Sequence, residues 1–147
     1  ARTPMQWDDS SQAGFSFGQD TEPWLPVHEN YPELNVQTAL QKPDSILNFY
    51  RQLLRVRKQS EALRRGQWRT LIHYPHEHLV YLRETETETV LVVINFSYEQ
   101  AFKRDVEIDS EDWTVLLSTH YETGKLIDLT ENLQAFEVSI LQKIRED

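Results

Sequence analysis

Thr89-Val90-Leu91-Val92-Val93-Ile94-Asn95-Phe96 is the run on which the fold turns. In an extended chain successive side chains point to opposite faces, so Val90, Val92, Ile94 and Phe96 line one side and Leu91 and Val93 the other. Both sets are apolar, which predicts a central strand covered on both sides. The same period of two recurs outward from it: in Trp68, Thr70 and Ile72 after Gly66, in 79–82, in Phe102, Val106 and Ile108, in Trp113, Val115 and Leu117, and in Phe136, Val138 and Ile140. Short strands separated by polar turns predict a mainly β fold, an antiparallel β-sandwich over residues 60–147. Trp68 and Trp113 fall in phase with the apolar faces of their strands, which predicts that both point inward. The repeat Glu84-Thr85-Glu86-Thr87-Glu88-Thr89 is a charge-rich link between two strands and reads as a hairpin turn with no ligand.

Upstream the pattern changes. Residues 44–59 read as a helix: Asp44 or Ser45 follows Pro43 and can accept from the first free N–H groups. Ile46, Phe49, Tyr50, Leu53 and Val56 then line one side, and Leu47 and Leu54 widen the stripe. Residues 1–43 contain Pro4, Gly14, Gly18, Pro23, Pro26, Pro32 and Pro43 with neither period, and read as one long loop. So long a loop is uncommon in a compact domain, and is usually functional or a linker. The expected boundaries are thus 1–59, comprising loop and helix, and 60–147.

The chain has 147 residues, the size of one ordinary domain or a small domain plus an appendage. Four tryptophans, six tyrosines and six phenylalanines can carry a core. The absence of cysteine removes disulfide and thiol chemistry and is compatible with a reducing compartment, so a cytoplasmic location is expected. No window approaches the roughly 18 consecutive apolar residues of a membrane span, and no membrane partner is expected. The sequence opens on Ala1 without a leader and reads as a piece of something longer. A net charge of −9 argues against a nucleic-acid partner, since phosphates would be repelled over most of the surface. The local basic run Arg51, Arg55, Arg57, Lys58, Arg64, Arg65 and Arg69 reads as the solvated face of a helix and its exit.

The opening stretch, Arg2-Thr3-Pro4-Met5-Gln6-Trp7-Asp8, concentrates special side chains. Pro4 pushes Thr3 into an extended conformation. Trp7 offers a flat face and Arg2 a planar fork of five donors, a combination suited to a polyhydroxylated ligand. A packed loop fastened by an Arg–Asp pair is the plainer reading of the same residues.

Together with Ala13-Gly14-Phe15, Pro23-Trp24-Leu25-Pro26-Val27, Asn30-Tyr31, Asn35-Val36 and Pro43-Asp44-Ser45-Ile46-Leu47-Asn48-Phe49-Tyr50-Arg51, this stretch resembles the alpha-amylase family of glycoside hydrolases. The similarity is to its alpha-glucosidase and oligo-1,6-glucosidase branch and runs in order over residues 1–69. Beyond residue 70 only the strand pattern resembles the family's C-terminal domain. The resemblance implies that 1–43 follow the eighth strand of a truncated (β/α)8 barrel, where active-site loops lie. It implies that 44–59 form the last barrel helix, with the rest of the barrel as its partner in cis. The implied activity is retaining hydrolysis of alpha-linked glucose in short oligosaccharides. Arg2 would border the substrate pocket, donating to sugar hydroxyls or clamping a carboxylate, or else would only fasten the loop.

No catalytic residue is expected in this chain. Retaining hydrolysis needs two carboxylates about 5–5.5 Å apart across the scissile bond. Asp8 and Asp9 are loop neighbours whose side chains diverge, and nothing separates the pKa values of Asp20 and Glu22. In the resemblance, nucleophile, acid and supporting aspartate come from earlier barrel strands. The fragment is therefore expected to be catalytically silent, with no cofactor. His73, His76 and His78 could approach a metal only against Pro75 and without a fourth ligand, so no metal site is expected. Two other readings stay open: a carbohydrate-binding module, which needs exposed coplanar aromatics, and part of a non-catalytic amylase-like transporter heavy subunit.

Overall fold

The computed structural model describes residues 2–16, 21–74, 77–99, 112–129 and 133–144. The chain divides into two compact units, Ala1–Gln52 and Leu53–Asp147.

In the first unit, the residues expected as one long loop contain a 3-10 turn at Ser11–Gly14 and a helix, α1 (Val36–Gln41). Six residues are too few for a periodic signature in the sequence, and capping creates this helix instead. Asn35 Oδ1 accepts from the Thr38 amide at 2.7 Å. The amides of Val36 and Gln37 donate to the carbonyls of Gln6 and Trp7 at 3.0 and 2.9 Å. The first free N–H groups of α1 are thereby satisfied. At its other end Asn48 Nδ2 donates to the carbonyls of Ala39, Leu40 and Lys42 at 3.1, 3.1 and 2.8 Å. Ser45 Oγ donates to Ala39 O at 2.6 Å and accepts from the Asn48 amide at 3.2 Å. One short corner therefore closes α1 and opens the next helix, α2 (Ile46–Gln59), close to the 44–59 expected. None of its residues is buried, and Ile46, Tyr50 and Leu54 from its apolar stripe are exposed.

The second unit takes in the end of α2 and then a helix where only strand period was expected, α3 (Glu61–Arg65). Ser60 caps it, its hydroxyl accepting from the Leu63 amide at 3.0 Å. The helix ends at Gly66, where a Cβ would lie 2.6 Å from Ala62 O and 2.9 Å from the backbone of Glu84. Only glycine fits that close approach.

Six strands follow: β1 (Gln67–Tyr74), β2 (His78–Glu84), β3 (Glu88–Asn95), β4 (Trp113–Ser118), β5 (Leu126–Ile127) and β6 (Val138–Ile144). They form one antiparallel sheet in the order β1-β2-β3-β6-β4-β5. β3 is central as its two apolar faces require, and all of it except Ile94 is buried. Val80, Leu82, Leu91, Val93, Trp113, Val115 and Leu141 meet on one side with Leu129 and Leu133 to make the core. Each such Val or Leu contributes about 1.5–3 kcal/mol of burial. On the other side of the sheet Val90, Val92 and Ile140 are also buried. The acidic repeat is a hairpin, closed by the Thr85 amide donating to Glu88 O at 2.8 Å.

Three aromatic assignments change. Trp68 is 52% exposed. It pairs in register with Arg83 while its neighbour Arg69 pairs with the core residue Leu82, so Trp68 faces away from the core. Trp113, by contrast, is buried in the core as expected. Phe136 precedes β6 in a turn at φ 53°, exposed, with its amide donating to Ser97 O. Phe96 lies just past β3 and is also exposed. The strand expected around Phe102, Val106 and Ile108 lies outside the described residues. Among the described residues no helix is long and apolar enough to cross a membrane.

Candidate functional site

The opening stretch is held by its middle. Gln6 Nε2 donates to Asn30 Oδ1 at 3.1 Å and to Leu34 O at 2.5 Å, while the Gln6 carbonyl receives the first amide of α1. The Trp7 amide donates to Ala13 O at 2.8 Å and the Trp7 carbonyl receives Gln37. The stretch is thus sewn to α1 on one side and to the turn at 11–14 on the other. That turn is tight: Gln12, Ala13 and Gly14 all have φ between 55° and 64°, and Ala13 is fully buried. A Cβ on Gly14 would lie 2.5 Å from Asp8 Oδ2.

This anchoring leaves Arg2 and Trp7 facing outward. Arg2 is exposed, and among the described residues no ion pair or hydrogen bond holds its guanidinium. The Arg–Asp fastening considered for it is therefore not formed with any described aspartate. Asp8 instead accepts from the Ser10 hydroxyl and amide, which hold its carboxyl below the ordinary aspartate range. Trp7 is half exposed.

Two grooves lie within this unit, and the first of them borders the stretch. One of about 550 Å³ is walled by Thr3, Pro4, Met5, Leu34, Val36 and Ile46, among others, and is mostly apolar. The other, about 540 Å³, has Ser11, Gln12, Glu22, Trp24 and Tyr31 on its walls and is more polar. Trp24, 90% exposed, stands at its rim. Such a surface can offer sugar hydroxyls donors and flat walls. Asp8 is engaged by Ser10, Asp9 and Glu22 are exposed, and Asp20 lies outside the described residues.

Elsewhere His76 and the side chain of His73 lie outside the described residues. Among those described no group of three His, Cys, Asp or Glu side chains could hold a metal. The basic run is a solvated surface: Arg57 donates to Leu63 O at 2.6 Å, Arg64 to Ser60 O at 3.3 Å, and Arg69 pairs with Glu84 at 3.0 Å. Sequence reasoning passed over Gln6 and Glu88, which act structurally. Their partners lie 24 to 54 residues away, beyond any local signal.

Residues 1–66 match the family of alpha-amylase catalytic domains and residues 69–139 that of maltogenic amylase C-terminal domains. The oligo-1,6-glucosidase of Heyndrickxia coagulans is 42% identical over 127 residues, covering 84% of this chain and 21% of that protein. The oligo-1,6-glucosidase of Bacillus cereus is 34% identical, covering 97% and 25%. The glucan 1,6-alpha-glucosidase of Streptococcus dysgalactiae subsp. equisimilis is 42% identical, covering 93% and 24%. Among solved structures, trehalulose synthase from Pseudomonas mesoacidophila superposes with a TM-score of 0.78 at 30% identity, over 98% of this chain and 25% of that one. The chain spans about a quarter of the length of the relatives it matches.

Proposed function

Because the chain belongs to the alpha-amylase family of glycoside hydrolases, joining part of the catalytic domain to the C-terminal β domain, we propose that it serves a retaining alpha-glucosidase of the oligo-1,6-glucosidase type. In this reading the whole enzyme removes alpha-linked glucose from short oligosaccharides through a carboxylate pair carried by the rest of the barrel. Residues 1–59 are the end of that barrel and 60–147 an accessory domain. The 147-residue piece is silent by itself, and the proposed compartment is the cytoplasm.

The observation that carries the proposal is the anchoring of the Arg2–Asp8 stretch through Gln6, which leaves the Arg2 fork free and outward. A fork that meets no partner among the described residues is available to a ligand's oxygens, and its planar donors suit hydroxyls or a carboxylate. The exposed apolar stripe of α2 supports the presence of barrel strands to cover it. The test compares two proteins on isomaltose and maltose. The 147-residue chain should release no glucose, while the protein encoded by the complete reading frame should. In the latter, Arg2→Ala should cut kcat/KM by about 10- to 100-fold, the loss expected for hydrogen bonds from a charged donor. Glucose release by the 147-residue chain, or an unaltered kcat/KM in the Arg2 variant, would overturn the reading.

A further inference from the structure

Trp68 stands on β1, the edge strand of the sheet, on the side away from the core. Its ring stacks on Tyr81, centroids 3.8 Å apart and planes 19° from parallel. Its Nε1 donates to Thr70 Oγ1 at 2.8 Å. The indole is therefore gripped on one face and at its polar tip, yet it remains 52% exposed. What is left open is the second face of a ring that has already lost its freedom to turn. Directly across the strand pair from Trp68 is Arg83, whose Nε is buried without a hydrogen-bond partner.

We propose that Trp68, Tyr81 and Arg83 form a binding platform for an alpha-linked gluco-oligosaccharide on the β domain. A pyranose presents one face of C–H groups, which packs on an aromatic plane, and a rim of hydroxyls, which need polar partners. The open indole face meets the first need and the Arg83 guanidinium the second. The polar surroundings, Thr70 and Arg83, suit a sugar better than an apolar protein surface, whose interface core would be depleted of charge. Prior fixation of the ring by Tyr81 and Thr70 lowers the ordering cost of binding. Only the choice of alpha-linked glucose rests on the proposed function; the platform itself stands on this geometry.

The test is a titration of the 147-residue chain with isomaltotriose, maltotriose and cellotriose, followed on the indole N–H signals of its four tryptophans. Saturable shifts centred on Trp68, seen with the two alpha-linked sugars and weaker with cellotriose, are expected. Trp68→Ala should weaken binding at least tenfold and Arg83→Met several-fold. Leu126→Ala, on the strand at the opposite edge of the sheet, should leave it unchanged. Should Trp68→Ala unfold the domain, the location of the shifts in the unsubstituted chain decides. Absence of saturation, shifts centred elsewhere, or equal binding by folded Trp68→Ala would overturn the proposal. Because the readout is binding to this chain, an inactive full-length protein would leave the result untouched.

Discussion

Glu88 Oε2 receives the backbone amide of Ala62 at 2.8 Å, although 26 residues separate them. The other oxygen of the same carboxylate receives Gln142 Nε2 at 2.6 Å. One buried side chain thus ties the start of α3 to β3 and to β6. Glu88→Ala would leave a buried amide without an acceptor, a loss of about 1–3 kcal/mol. For a unit of this size each kcal/mol lowers Tm by roughly 4–8 °C. Thermal unfolding of the variant should show that drop, and Glu88→Gln, which keeps one oxygen, a smaller one.

Leu141 is fully buried in β6, between β3 and β4. Leu141→Ala removes three heavy atoms from a site hemmed in on both sides, so the lost burial and the residual cavity together should cost about 2–5 kcal/mol. Urea unfolding checks this as a lower midpoint with an unchanged slope.

Gly66→Ala would drive a methyl group to 2.6 Å from Ala62 O and 2.9 Å from the backbone of Glu84. Neither neighbour is a flexible side-chain tip that can swing aside. A loss above about 1 kcal/mol is expected, more than the gain that alanine brings by restricting the unfolded chain. Hydrogen exchange should show the amides of α3 and the adjoining end of β2 losing protection.

Asp8 supplies the pH dependence. Hydrogen bonds from the Ser10 hydroxyl, then from its amide, favour the ionised form and lower the folded pKa. A lowered carboxylate pKa stabilises the turn fully above the unfolded pKa, and the contribution disappears as pH falls through the folded value. An NMR titration should place the Asp8 midpoint below that of an unstructured aspartate. Ser10→Ala should raise it part of the way, because the amide bond remains.

The parts of the fold that could be read beforehand are those with a repeating local signal. Val90 to Ile94 declared a central strand because both faces are apolar, and Ile46 to Val56 a helix because one stripe is. α1 and α3 were not legible because each rests on a cap, Asn35 and Ser60, and on partners remote in sequence: the Gln6 and Trp7 carbonyls, and Glu88. Trp68 was misplaced for a related reason. Alternation gives two faces but does not say which one is the core, and pairing with Arg83 rather than Leu82 decides it. At the candidate site the prominence of Arg2 and Trp7 was visible in composition. The Gln6 tether that turns them outward was not, since glutamine carries no positional preference strong enough to announce a hub.

The corner at Asn48 has a chemical corollary. Its amide nitrogen has only two hydrogens for the three carbonyl oxygens around it, so at least one is shared. Hydrolysis of that one side chain to a carboxylate would turn the donor into a negative acceptor confronting oxygen on every side. During long storage the joint between the two helices would then lose three of its acceptor contacts at one nitrogen atom and keep only those of Ser45.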